Sequence, residues 1–471
     1  MRLQDYRRPP ARGRTLLSAL AALALAGCLP GPDYHAPEMP LPARYARLAP
    51  APVVSPALQS WWTGFHDPVL DRLIAQGLSG SVSIAIAEAR LREATAMAHR
   101  AGSMVSGSLT QSRTNGSFGS AGDQTTVGLT AGLMGAQQRG IEAAIDRLSA
   151  ADYGVQDARL KLLGSLAQAY VTLRFYQASL AEQQASLVSR RETLDRIRVL
   201  LQSGEVTRLD ELRAEALVAD AQAALPQTQA NVLRQVSQIA TLVGVPSAML
   251  DTDLTYRGRQ PRLAAPGGIG VPADLVRRRP DIRAAERAYA AAVADIGSAI
   301  GARYPSLSLT GQIVAPATPG YLLTRTLTAG LVLPLFDQPG LAAAVNVARA
   351  RADQAYQTWR GTVLQAVEDV ETALAQVAGA RAAAQAADRA VKLDVEALAL
   401  SRQLLTGTGS VTVLDVLDRE QALTTARATA ASARRDEALS AIGLYVALGL
   451  GPEAGAETGT KAGTKAGSGQ P

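Results

Sequence analysis

The sequence predicts a mainly α-helical, internally duplicated protein with a small membrane β-barrel part, and three observations carry that reading. The first is a repeat at an offset of 205 residues, which pairs Gly204 with Gly409, Val206 with Val411, Thr207 with Thr412, Leu209 with Leu414, Asp210 with Asp415 and Leu212 with Leu417. Solenoid periods run about 20–50 residues, so a repeat this long is two copies of a half-domain, which suits a ring or tube. The second is proline placement. No proline lies between Pro68 and Pro226 or between Pro339 and Pro452, and both gaps are dominated by Ala, Leu, Arg, Gln and Glu, which are strong helix formers. The third is period-2 patterning in four short segments.

The helices come first. Residues 141–202 and 341–406 each read as one continuous helix of roughly 90–100 Å at 1.5 Å per residue. Val391, Val395, Leu398, Arg402 and Leu405, and likewise Val363, Val367, Val370, Leu374 and Val377, alternate steps of four and three, as a coiled-coil seam does. A glycine-containing break closes each long helix, at Ser203-Gly204 and at Gly407 and Gly409, and a Thr-x-x-Asp start follows at Thr207/Asp210 and Thr412/Asp415. That pattern resembles a capping box. Two antiparallel hairpins result, about 140–244 and 340–449.

The strands occupy about 103–113 and 124–134 in the first repeat and about 304–314 and 323–335 in the second. Val127, Leu129 and Ala131 alternate with Thr126, Gly128 and Thr130, and Leu327, Ala329 and Leu331 alternate with Thr326, Thr328 and Gly330. About ten residues with one apolar face and one small or polar face is the pattern of a transmembrane barrel strand; a half-buried hairpin of a soluble domain shares it. Four strands in lipid leave edge N–H and C=O groups that no water can satisfy, and four are too few to close around a channel. Self-association resolves both, and three chains would supply twelve strands.

Arg2, Arg7, Arg8, Arg12 and Arg14 precede an apolar stretch from Leu16 to Ala26, which is too short to stay in a bilayer and reads as an export signal over residues 1–27. The junction Leu25-Ala26-Gly27-Cys28 has the small-residue pattern of a lipoprotein signal, so Cys28, the only cysteine, is expected to carry lipid, and membrane lipid is an expected partner. Residues 28–66 form a proline-rich tether, 67–262 the first repeat, 263–451 the second, and 452–471 a low-complexity tail expected to be disordered. Five arginines and one acid leave with the leader, so the formal charge of +6 reduces to 42 basic against 40 acidic residues. That balance offers no footprint for nucleic acid. Enzyme readings are poor: His35, His66 and His99 are the only histidines, and no Gly-x-Ser-x-Gly elbow, P-loop or His-Glu-x-x-His is present. A Cys/His metal site is excluded by inventory, and no cofactor is expected.

Several runs carry a family resemblance. Arg277-Arg278-Arg279-Pro280-Asp281-Ile282-Arg283, Tyr304-Pro305-Ser306-Leu307, Leu333-Pro334-Leu335-Phe336-Asp337, Val411-Thr412-Val413-Leu414-Asp415-Val416-Leu417-Asp418 and Leu444-Tyr445-Val446-Ala447-Leu448-Gly449 together resemble TolC-like outer-membrane efflux proteins, more narrowly their lipoprotein NodT-type subfamily. The resemblance covers about Trp61 to Gly449. It implies a homotrimer, with a twelve-stranded outer-membrane barrel continuing into a trimeric α-helical tunnel in the periplasm. It further implies docking on an inner-membrane pump, of RND type, through a periplasmic adaptor, and a conduit without catalysis. Two departures stand out: Gly80-Ser81-Val82-Ser83-Ile84 replaces the family's Asn-Pro-Asp-Leu, and Met134-Gly135-Ala136 its Leu-Phe-Gly.

By the same resemblance Leu414, Asp415 and Asp418 match positions that constrict the periplasmic tip. Three copies of two carboxylates around a narrow axis attract cations; Asp415 is equally the third-position acid of a helix cap. The tips, Ser203, Gly204 and Glu205 with Gly407, Thr408 and Gly409, are where an adaptor is expected to meet the tube. Arg277 to Arg279 before Pro280 are expected to be structural, with Pro280 as first helical residue, and Trp61-Trp62 to pack the tether's end against the body. The competing readings are a periplasmic adaptor (membrane-fusion) lipoprotein and a lipid-anchored coiled-coil scaffold. An adaptor needs one hairpin flanked by compact β domains, and a scaffold leaves the alternating strands unexplained.

Overall fold

The computed structural model describes residues 30–42, 45, 56–102, 106–114, 122–132, 135–250, 254, 260–265, 272–273, 278–316, 324–407 and 411–451. The leader with Cys28, the tail, and Arg277, Met134, Thr408 and Gly409 lie outside the described residues. After a 3-10 segment, Pro56–Phe65, the order is α1 (Pro68–Gly80), α2 (Val82–Gly102), β1 (Ser106–Thr114), β2 (Gly122–Gly132), α3 (Ala136–Gln202), α4 (Arg208–Val243), then a short 3-10 turn. α5 (Pro280–Gly301), β3 (Ser306–Pro316), β4 (Thr324–Val332), α6 (Gln338–Gly407) and α7 (Val413–Ala447) follow. The chain divides into two compact units, Met1–Met39 with Arg90–Asp152 and Ala284–Gly361, and Pro40–Ala89 with Tyr153–Arg283 and Thr362–Pro471. Each unit draws on both sequence repeats.

The first unit holds one four-stranded sheet in the order β1-β2-β3-β4, antiparallel throughout. Its register lines up the predicted apolar positions. Leu109 faces Val127, Val127 faces Gly311 and Gly311 faces Leu327, while Leu129 faces Leu309 and Leu309 faces Ala329. The intervening rows are Thr110, Thr126, Gln312 and Thr326, and Ser108, Gly128, Thr310 and Thr328. The register thus collects the aliphatic positions in shared rows and the hydroxyl and amide positions in the rows between them. β1 and β4 are its outer strands among the described residues. The helical part of this unit packs Val293 and Ile296 of α5 against Ala348 and Ala352 of α6, and Ala143 of α3 against Ala291 and Ala294. Arg287 pairs with Asp146 at 3.1 Å, and Arg147 pairs with Asp295.

The second unit contains both hairpin ends. Asp67 caps α1 by accepting from the Val69 N–H at 3.0 Å and also accepts from the Tyr170 hydroxyl at 2.5 Å. Trp61 stacks on Tyr445 at 5.2 Å and donates to the Leu450 carbonyl at 3.0 Å, which fastens the end of the tether. α1 stops at Gly80, and the Ser81 N–H returns to the Gly77 carbonyl at 2.9 Å. The departing Gly80–Ser81 stretch is thus a helix break. α6 and α7 meet through Ala384, Ala387, Ala430 and Ala433, small side chains that let two helices approach closely. Val363, Val370 and Leu374 are buried as the seam predicts, but Val395 is 41% exposed while Leu398 is buried.

Candidate functional site

The tips are built from local chain chemistry. At the first, Gly204 takes φ 78°, its N–H bonds the Leu201 carbonyl at 3.1 Å, and the Glu205 N–H reaches Leu200 at 2.9 Å. This pattern is a Schellman close, which satisfies carbonyls that the helix end would leave bare. Ser203 donates to the Glu205 carboxylate at 2.8 Å. The next helix opens with a full capping box: the Thr207 N–H donates to Asp210 at 2.9 Å, and the Thr207 hydroxyl accepts from the Asp210 N–H. Ser203, Gly204 and Glu205 are all exposed.

The second tip repeats the capping box. Gly407 ends α6, and Thr412 and Asp415 form the second capping box, with the Thr412 N–H donating to Asp415 at 2.8 Å. Hydrogen bonds from the Thr412 side chain and backbone hold the Asp415 carboxyl below the usual carboxylate range. The first turns of α7 then divide by face. Val413, Val416 and Leu417 are buried; Val413 and Leu417 pack with Leu194, Ile197 and Ala214, and Val416 packs with Leu398 and Leu423. Leu414, Asp415 and Asp418 share the opposite, exposed face, as residues three and four apart on a helix do. Asp415 is occupied by its cap; Asp418 has no hydrogen bond or ion pair among the described residues.

Above this turn runs a polar belt that the sequence reading missed. Buried Glu420 accepts from Arg402 at 2.5 Å and from the Thr193 hydroxyl at 2.9 Å. Buried Arg190 donates to Gln421 at 2.6 Å and to the Leu217 carbonyl at 2.9 Å. The signal was present: Arg190 sits in the series Leu187, Arg190, Leu194, Ile197, and Glu420 in Val413, Leu417, Glu420, Leu423. A charge at a seam position has to find a partner on a facing helix, because a buried unpaired ion is strongly destabilising.

Within the arginine–proline motif, Arg279 and Pro280 are built into the helix junction. Pro280 is the first residue of α5. Arg279 grips Asp281 through Nη2 at 2.7 Å, and its Nη1 reaches Asp369 at 3.1 Å and the Ala447 carbonyl at the end of α7 at 3.0 Å. Burial pushes the Asp281 carboxyl up, but hydrogen bonding and charge from Arg279 outweigh it, so the group sits below the ordinary range. A depressed folded-state pKa stabilises above the unfolded value, about 3.9, and that contribution disappears as pH falls through the folded value. Thermal unfolding of the wild type should therefore lose ground to Asp281→Asn between about pH 5 and pH 3, read by circular dichroism; parallel curves would remove this pair from the acid response.

The chain matches the family pattern described as outer membrane efflux protein over residues 73–245 and again over 271–450. It is similar to nodulation protein T of Rhizobium leguminosarum bv. trifolii, 34% identical over 91% of this chain and 96% of that protein. It is 32% identical to the pyoverdine export outer membrane protein OpmQ of Pseudomonas putida over 84% of this chain and 89% of that protein. In structure it is similar to the outer-membrane channel OprN, with TM-score 0.78 and 27% identity, over 90% of this chain and 99% of that one. The sheet, the twin capped hairpins and the repeat thus have a common explanation: the chain belongs to the outer membrane efflux protein family.

Proposed function

We propose that three copies of this chain form an outer-membrane duct, a passive conduit for substrates that an inner-membrane pump of RND type delivers through a periplasmic adaptor. The observation that carries this reading is an open four-stranded sheet, with β1 and β4 as its outer strands among the described residues, in a chain of an outer-membrane family. Lipid has no water to bond those edges, so neighbouring copies must pair them. Cys28 is the lipid anchor. Leu414, Asp415 and Asp418 form the aperture, and Ser203, Gly204, Glu205, Gly407, Thr408 and Gly409 are the adaptor-facing tips. The arrangement would supply cargo passage by shape and charge.

Fractionation tests the reading against a lipid-anchored scaffold. With Cys28→Ser the protein should stay in the outer membrane through a carbonate wash and leave only with detergent. Release into the wash would mean that acyl chains alone hold it, and the scaffold reading would replace the duct.

A further inference from the structure

In the second unit, α3, α4 and α7 frame a cavity of about 290 Å³. Small-molecule pockets begin at about 300 Å³, so the space suits a compact ligand. Ala221, Ala224 and Ala428 give it an apolar wall. Two buried polar atoms of its lining residues have no partner among the described residues: Arg190 Nε and Gln183 Oε1. Arg190 is 8% exposed, and its printed bonds go to neutral acceptors, the Leu217 carbonyl at 2.9 Å and the Gln421 side chain at 2.6 Å. No carboxylate pairs with it among the described residues. A buried ion without a counter-charge is strongly destabilising. The Nε–H and a neighbouring Nη hydrogen form the fork that a carboxylate accepts.

The other charges of the lining point the same way. Glu182 and Arg427 pair with each other at 3.4 Å. Asp220 is exposed and makes no ion pair among the described residues. It lies one turn beyond Leu217 on α4, about 4.5 Å along the axis from the carbonyl that Arg190 grips. α4 runs antiparallel to α3, so that turn leads from Arg190 toward Gln183. The cavity therefore offers a buried cation at one place and, about a turn away, a carboxylate and an amide oxygen that both accept.

We propose that this cavity binds a small amphiphilic zwitterion, an amino acid with a bulky apolar side chain. The ligand's carboxylate pairs with the Nε edge of Arg190, its ammonium donates to Gln183 Oε1 and Asp220, and its side chain lies against Ala221, Ala224 and Ala428. An anion alone would leave Gln183 without a donor and would face Asp220. A cation alone would leave Arg190 uncompensated. Because α3 ends and α4 begins at the first tip, and α7 begins at the second, an occupied site ties together helices that carry both tips. One chain supplies every lining residue, so the proposal stands or falls independently of the duct.

The test titrates the detergent-purified full chain with L-phenylalanine, read by saturation-transfer NMR. Saturable binding with Kd below about 1 mM is expected. Phenylpropionate, which lacks the amine, and phenethylamine, which lacks the acid, should each bind at least about tenfold more weakly, because each forfeits a charge-assisted contact. Arg190→Met should weaken phenylalanine by a similar factor and leave phenethylamine unchanged, and Asp220→Asn should shrink the preference for phenylalanine over phenylpropionate. Ala428→Leu fills the apolar wall without touching the polar groups and should abolish binding of all three; it keeps the test decisive should Arg190→Met lose its helical circular dichroism. No saturable binding to wild type, equal affinity for phenylalanine and phenylpropionate, or full affinity in Ala428→Leu would overturn the inference. Conductance of the same preparation reports the duct separately.

Discussion

Asp418→Ala is expected to raise single-channel conductance several-fold and to lower cation preference. Asp418 and Leu414 share the exposed face of the first turns of α7, and Asp418 has no partner among the described residues. In the proposed three-fold assembly each copy would contribute this carboxylate around the axis, and removing it should widen the constriction and strip its negative charge together. Two carboxylates 4 Å apart repel by about 1 kcal/mol in water and about 4 kcal/mol near a protein surface, so the ring also influences how tightly the tips can close. Asp415→Ala is a poorer probe, because it destroys a capping box whose loss costs about 1 kcal/mol by itself. Planar bilayer recordings decide the matter: conductance and selectivity equal to wild type would remove Asp418 from the aperture.

The largest stability loss is expected from Gly244→Ala. Gly244 ends α4 with φ 88°, closed by its own N–H to Ala240 at 2.9 Å and by the Val245 N–H to Ala240 at 3.0 Å. A non-glycine residue in the left-handed region costs about 1–2 kcal/mol. Here the added Cβ would also lie 2.1 Å from the Gly80 carbonyl oxygen, a backbone atom at the end of α1 that cannot swing aside. Together these place the loss at about 3 kcal/mol or more, in the tail of point-mutant effects. Gly449→Ala, at φ 71°, meets Arg279 Cγ at 3.0 Å and Arg279 Cα at 3.2 Å, approaches far less close than at Gly244. Gly204→Ala, at φ 78°, meets nothing within 4 Å and should lose only the backbone term. Thermal unfolding in detergent should rank them 244, 449, 204; equal losses would mean that the Gly80 contact carries no weight.

Particular residues show how much of this was readable beforehand. The hairpins were legible because Thr207/Asp210 and Thr412/Asp415 act within four residues of chain, and capping is local chemistry. The strands were legible because alternation has the strand's own period, and the register then aligned Leu109, Val127 and Leu327 in one row. The contacts of Arg139 with Asp33, Pro30 and Gly297 were not legible, because nothing in its neighbourhood marks it as buried and all three lie more than a hundred residues away in sequence. The Arg190 and Glu420 belt was half-legible: periodicity places both on the buried face, but only folding reveals the partners. Val395 of the seam read from sequence is 41% exposed in the single chain, whereas Leu398 of the same seam is buried. Asp415 stood open between cap and aperture, and the capping box accounts for its carboxylate without removing it from the exposed face.

Native mass spectrometry of the detergent-purified acylated protein, paired with conductance of the same sample, bears most directly on closure of the sheet between copies. The account predicts a species of three protomers that conducts. A well-folded single protomer without pore activity would contradict it, because the β1 and β4 edges would then be satisfied within one chain.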